Sequence, residues 1–269
     1  MKALKVNPIY ALAYKKVKQS NNLIIVVNGP TGSGKTYAAL RMGYEIAKML
    51  GTNFSVESNV DFNFEGLLEK MGREGNKKPG TPFIFEEVGA FGGGASSREW
   101  QSKANKFFNT FLQTSRRLNQ IMIMTCPFFA NLEAGSRKLV DIQMETMYID
   151  RFKRLCYVKP YIIQVNKRTG KMYFKYIRLT VDNMKIKCKK IGIPLVPKDI
   201  ATDYEKVKAT FMEKIRQEII DSKTKENQPK KEYLCKNCEY IWTPRSHRVG
   251  KCPACQKYNT YTEYETVST

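Results

Sequence analysis

The run Gly29-Pro30-Thr31-Gly32-Ser33-Gly34-Lys35-Thr36 has the residue types and spacing that wrap a backbone around phosphate groups. Its glycines let successive N–H groups turn inward onto anionic oxygens, Lys35 brings a point charge to the β- and γ-phosphates, and the Thr36 hydroxyl is a ligand for Mg²⁺. A second group, Glu86 and Glu87, closes the apolar run Pro82-Phe83-Ile84-Phe85. Two carboxylates at a strand end beside a phosphate loop divide the work of hydrolysis. Glu86 holds the metal, directly or through its water shell, and Glu87 takes the proton of the attacking water. The third group is four thiols, Cys235, Cys238, Cys252 and Cys255, arranged as two CxxC pairs with thirteen residues between them. That spacing suits tetrahedral Zn²⁺ in a structural ribbon, so ATP, Mg²⁺ and Zn²⁺ are the expected cofactors.

These groups work only if the chain sets them at the right ends of the right elements. Leu23-Ile24-Ile25-Val26-Val27 reads as a buried strand leading into the phosphate loop, and Tyr37 to Leu50 as a helix stopped by Gly51. The loop therefore opens a helix whose N-terminal dipole favours the same anion. After Glu87 the glycine-rich stretch Val88 to Gly94 leads to a capping box, Ser96-Ser97-Arg98-Glu99. A helix from Ser97 to Leu118 follows, with Trp100, Ala104, Phe107, Phe108, Phe111 and Leu112 on its apolar face. Ile121-Met122-Ile123-Met124-Thr125 is the next buried strand, and its end lies beside the site in a parallel sheet. Thr125 is thereby a candidate sensor of the γ-phosphate. Alternation over Ile142 to Tyr148, Arg154 to Val165 and Lys171 to Leu179, with a turn at Asn166 to Gly170, predicts antiparallel strands at one sheet edge.

The stretch from Asn21 to about Leu179 resembles the FtsK/HerA superfamily of DNA-pumping ATPases, especially its Zot-like branch and the related ATPases of archaeal viruses and conjugative plasmids. The residues that carry the resemblance are the Gly29 to Thr36 loop (the Walker A motif) and Phe85-Glu86-Glu87-Val88-Gly89 (the Walker B motif). Further matches are Arg98-Glu99-Trp100 with Asn105-Lys106, and Gln113-Thr114-Ser115-Arg116-Arg117 before the strand that ends in Thr125-Cys126-Pro127. The resemblance implies a RecA-like P-loop NTPase fold and a homo-oligomer, usually a hexameric ring, in which an arginine of one subunit completes the neighbour's ATP site. Arg116 or Arg117 matches that arginine. Glu86 stands where the superfamily usually has Asp, and Thr125 near its usual Gln or Asn. Zot proteins typically carry a membrane segment, and no long apolar run occurs here, which speaks against a filamentous-phage export role.

Composition bounds the rest. Against 25 acidic residues the 269-residue chain has 46 Lys and Arg, a formal charge of +21, which points to a polyanionic partner. Without a signal pattern or an 18-residue apolar run, the expected location is the cytoplasm, and cysteines there favour metal over disulfides. Met184 to Lys189 alternates with Lys185, Lys187 and Lys189 on one face, either a ladder for a phosphate backbone or the lysine guard of an edge strand. Thr202-Asp203-Tyr204-Glu205 predicts the cap of an amphipathic helix with Tyr204, Val207, Phe211, Ile215 and Ile219 apolar, dissolving after Asp221 into a polar linker. The tail places Tyr240, Trp242, Arg245 and Arg248 together, as a nucleic-acid surface does or as packing of Trp242 on the cysteines does. The single histidine, His247, is expected exposed, and Cys126, Cys156 and Cys188 are expected as buried thiols.

The expected organisation is an α/β P-loop domain over residues 1–198, with an N-terminal helix and a mostly parallel sheet carrying an antiparallel edge. A helix with a linker over 199–231 and a zinc ribbon over 232–262 follow. The favoured function is a DNA-stimulated ATPase that translocates, packages or transfers DNA, with a capsid or transfer-complex protein as further partner. A thymidine-kinase-like enzyme with a zinc module, and a Zot-like assembly protein using ATP as a switch, are the rival readings.

Overall fold

Every residue of Leu23–Asn28 (β1) is buried, as in a strand covered on both faces. Its alternation sorts the core into two layers. Leu23, Ile25 and Val27 pack with Ile9 and Ala13 of Pro8–Lys18 (α1) and with Ala39, Leu40, Met42 and Ile46 of Lys35–Leu50 (α2). Ile24 and Val26 face the other way, into a cluster with Leu67 and Met71. A computed structural model describes residues 7–74, 78–87, 118–181, 184–226, 232–242, 251–258 and 261–264. The glycine-rich stretch, the Ser97 to Leu118 helix except its last residue, Arg116, Arg117, Arg245, His247 and Arg248 lie outside them.

Short helices and strands follow α2: Val56–Asn59 (α3), Val60–Asp61 (β2), Phe64–Gly72 (α4), Pro82–Phe85 (β3) and Ile121–Cys126 (β4). After Ala134–Arg137 (α5) come Ile142–Asp150 (β5), Leu155–Val165 (β6), Met172–Val181 (β7), Met184–Cys188 (β8) and Ile191–Pro194 (β9). The sheet order is β2-β3-β4-β1-β5-β6-β7-β8, with β9 on β6. Strands β2, β3, β4, β1 and β5 are parallel, and β6 to β9 are added antiparallel. This is the mixed α/β sheet, mostly parallel with an antiparallel edge, expected of a P-loop NTPase. Because β4 stands between β1 and β3 and all three are parallel, the phosphate loop, the end of β4 and the acidic pair lie side by side at the carboxyl ends of these strands.

Helix α2 starts at Lys35, directly after Gly34, and ends on Gly51, whose left-handed backbone (φ +67°) directs its N–H to the Ala47 carbonyl. The last helix departs from the sequence reading at both ends. It runs Lys198–Glu226 (α6) and starts four residues before Thr202. Pro197 supplies the first turn's acceptor, to which the Ala201 N–H donates at 3.0 Å, while the Thr202 hydroxyl bonds back to Lys198 O at 2.9 Å instead of capping. Burial of Ile200 with Tyr204 fixes this first turn in the core. The end extends past Asp221 because Lys and Glu are good helix formers even where nothing apolar recurs.

The chain divides into two compact units, Met1–Met212 and Glu213–Thr269, with the boundary inside α6. In the second, Glu232–Cys235 (β10) pairs antiparallel with both Ile241–Trp242 (β11) and Tyr261–Tyr264 (β12). Among the described residues no helix is long and apolar enough to cross a membrane.

Candidate nucleotide and metal sites

The phosphate loop is seated on β5 and β6. At Gly29 (φ +149°) a Cβ would come 2.0 Å from Thr146 Oγ1, and at Gly34 (φ +90°) it would meet Ile149 and Cys156 Sγ at 3.1 Å. Close approach of the strands below thus demands glycine at both positions. Ser33 Oγ donates to Pro30 O at 2.6 Å and lies 2.6 Å from Thr146 Oγ1, tying the loop to β5. Lys35 Nζ donates to Pro30 O at 2.9 Å. That carbonyl is a neutral acceptor, and an anionic phosphate oxygen is a stronger one for the ammonium.

Strand β3 delivers Glu86 directly against this loop. Its side chain is fully buried. Oε1 accepts from the Thr36 hydroxyl and from Tyr204 Oη at 3.2 Å, and Oε2 accepts from Thr125 Oγ1 at 2.9 Å. Burial pushes the Glu86 carboxyl above the usual carboxylate range, and the bonds from Thr36 and Thr125 pull it back. Thr36 and Glu86 together form a pair of hard oxygen donors of the kind Mg²⁺ takes.

Glu87 is half-buried and has a left-handed backbone, φ +50°. Its N–H donates to Thr125 Oγ1 at 2.8 Å. Thr125, the proposed sensor, therefore stands between the two glutamates, accepting from one and donating to the other.

Three residues of this neighbourhood were not read as site residues from the sequence. Thr146 and Cys156 underlie the loop, with Cys156 Sγ 3.5 Å from Ser33 O. Burial holds the Cys156 thiol up at about 11 and that of Cys126 at about 12, so both are protonated and inert. Cys188 is only half-buried. The third is Tyr204, from α6, whose phenol is pushed well above its ordinary value by burial and by the Glu86 charge and so stays a donor. Only its helical apolar spacing was visible in the sequence.

At the far edge of the sheet, β8 pairs with β7 so that Arg178 faces Lys187 and Thr180 faces Lys185. All four are exposed. Like charges directly opposite on one sheet face repel, which an anion laid across them would relieve.

In the second unit the sulfurs of Cys235, Cys238, Cys252 and Cys255 all lie within 4.8 Å of one another. Cys235 and Cys255 are 3.6 Å apart, and Cys238 and Cys252 3.7 Å. A tetrahedron with Zn–S of about 2.3 Å has edges of about 3.8 Å, so the thiols fit zinc. Both CxxC turns have the same backbone. Cys235 N donates to Tyr240 O and Cys252 N to Lys257 O, while Glu239 N and Gln256 N donate back to the first cysteine of each turn. Glu239 (φ +55°) and Gln256 (φ +60°) are both left-handed. Trp242 is buried with Cys235 and Cys252 and lies 6.1 Å from the Tyr233 ring, so it packs on the cysteines, while Tyr240 is exposed.

No family model matches the sequence, and no curated protein does. Among solved structures, the chain is similar to the N-terminal domain of zonular occludens toxin from Neisseria meningitidis. The identity is 14%, the match covers 62% of this chain and 100% of that one, and the TM-score is 0.33. It is similar too to the genome packaging NTPase B204 of Sulfolobus turreted icosahedral virus 2 in complex with ATP-gammaS (12% identity, 58% and 96% covered, TM-score 0.33). A third is EccC of Thermomonospora curvata, ATPases 2 and 3 (11%, 62% and 33%, TM-score 0.24). The fold itself rests on the order β2-β3-β4-β1-β5 and on a phosphate loop that joins β1 to α2, which together are those of a P-loop NTPase.

Proposed function

We propose that this protein is an ATP-hydrolysing motor that moves DNA, in genome packaging or conjugative transfer. The observation that carries the reading is the meeting of Glu86 with Thr36, which brings the acidic strand end onto the phosphate loop. In this reading the loop N–H groups and Lys35 bind the phosphates, and Thr36 with Glu86 would hold Mg²⁺. The metal, when bound, supplies positive charge against the β- and γ-phosphate oxygens. Glu87 accepts a proton from a water as its oxygen bonds to the γ-phosphorus and the bond to the ADP oxygen breaks. Thr125, bonded to the Glu86 carboxylate and to the Glu87 N–H, stands beside both as the sensor of the γ-phosphate. The +21 charge and the Arg178–Lys187 pair support a nucleic-acid partner. Assembly as a hexameric ring, with Arg116 or Arg117 reaching a neighbour's nucleotide, belongs to the same reading, as does action in the cytoplasm. The four-thiol unit holds Zn²⁺ structurally and binds DNA or a capsid or transfer-complex protein.

Steady-state turnover of purified protein with ATP alone, with duplex DNA and with thymidine tests the reading. Hydrolysis that rises with DNA is expected. Lys35→Ala should remove turnover with the fold intact, and Glu87→Gln should keep ATP binding while losing turnover about 10²- to 10⁴-fold. Phosphorylated thymidine as the product would replace the motor with a kinase. Nucleotide binding without turnover would leave only the switch.

A further inference from the structure

The nucleotide site is finished by a residue from neither the phosphate loop nor the acidic strand. Tyr204, two turns into α6, is 1% exposed, and its hydroxyl donates to the same Glu86 oxygen that accepts from Thr36. Its ring stands 6.1 Å from Phe62 and edge-on to Tyr37 at 6.4 Å. Lys208 Nζ lies 5.6 Å over the same ring. Two further ties fix this part of α6. Tyr37, the residue after Thr36, donates its hydroxyl to Glu205 at 2.8 Å, and Phe211 stacks on Phe62 at 4.5 Å and 14°.

A carboxylate that must present a lone pair to a cation has to be kept from rotating. Glu86 is gripped at one oxygen by Thr125 and at the other by Thr36 and Tyr204. Thr36, the other donor to that oxygen, is itself a proposed metal ligand. Tyr204 is no metal ligand in this reading, and the rings of Phe62 and Tyr37 pack beside its own.

We propose that Tyr204 is a positioning residue of the nucleotide site, the fixed donor that holds Glu86 where Glu86 and Thr36 together receive Mg²⁺. The proposal rests on the reading of Glu86 and Thr36 as the metal pair. It makes α6 part of the site, so that any displacement of α6 alters the affinity for metal-bound nucleotide, and by reciprocity bound metal and nucleotide hold α6 in place.

The test measures binding of a fluorescent ATP analogue to Tyr204→Phe, in Mg²⁺ and in EDTA. This variant keeps the ring and removes only the hydroxyl. Expected is a metal-free affinity within about twofold of wild type, with the tightening produced by Mg²⁺ reduced about tenfold, as the loss of one bond to a charged group implies. The control is Glu205→Ala, which removes one exposed tie while the contacts of Tyr204 and Phe211 with Phe62 keep this part of α6 in place, and it should leave the Mg²⁺ effect unchanged. An unchanged Mg²⁺ effect in Tyr204→Phe would overturn the proposal. So would a loss equal in Mg²⁺ and EDTA, or an equal loss in Glu205→Ala, since each would assign Tyr204 to packing of α6 alone. Wild-type protein that binds nucleotide equally with and without Mg²⁺ would remove the metal pair itself, and the proposal with it. Binding in neither condition would instead defeat the ATPase reading.

Discussion

The nucleotide end of the first unit and the thiol cluster of the second are built in opposite ways. At the first, two apolar layers fix strand ends before any ligand arrives. Leu23, Ile25 and Val27 are fully buried on one face, as is Val26 on the other. Each such side chain contributes about 1.5–3 kcal/mol. At the second, the buried core among the described residues is Cys235, Cys252 and Trp242, with Tyr233 and Cys255 beside them. A core of that size cannot offset the entropy of ordering the chain around it. A preset site binds what fits it, whereas a site of this second kind takes its fold from what it binds.

Metal removal should separate the two regions most sharply. Apparent binding free energies of structural zinc are about 10–16 kcal/mol, so a chelator, or Cys252→Ser, should abolish the β10–β12 pairing while the first unit's melting transition stays in place. Zinc content with heteronuclear NMR of intact protein checks this; one shared transition would break the contrast. A smaller effect is expected where the preset site is overfilled. Gly29→Ala drives a methyl group into Thr146 and should lower the first unit's stability by about 1–3 kcal/mol. Nucleotide affinity should fall with it, and the zinc content should not change. Denaturant titration of the variant measures the first term. Smallest is the effect at the sheet edge, where neither an apolar layer nor a metal organises the charges. Arg178→Ala and Lys187→Ala should each reduce the slope of log affinity for DNA against log salt by about 1, with ATP turnover in the absence of DNA unaltered. Slopes equal to wild type would reduce the pair to the guard of an edge strand.

The contrast also explains what could be read from the sequence. The phosphate loop, the acidic pair and the two CxxC turns are each encoded within a few consecutive residues, so composition and order were enough to locate them. The strands β1, β3 and β4 announce themselves as unbroken apolar runs, and β5 to β7 by alternation. Tyr204 was legible only as one turn of an amphipathic stripe, because its meaning depends on Glu86, 118 positions earlier in the chain. The seat of the loop was hidden for the same reason: Thr146 meets Ser33 across 113 positions. Short elements such as β2 and α4 carry too few residues for a period to emerge. The start of α6 is hidden because Thr202 has the chemistry of a cap, while the turn before it is set by the burial of Ile200 and the bond from Ala201 to Pro197.

One residue turns this into a question of stability against activity. Glu87 is held at φ +50°, a conformation that disfavours side chains bearing a Cβ by about 1–2 kcal/mol. Glycine there would relax the turn, and Glu87→Gly is expected to melt later than the natural protein while losing the carboxylate. The acidic strand end is thus a spot where selection for folding alone would replace the residue. Screens for thermal resistance should repeatedly converge on it and return robust, inert proteins.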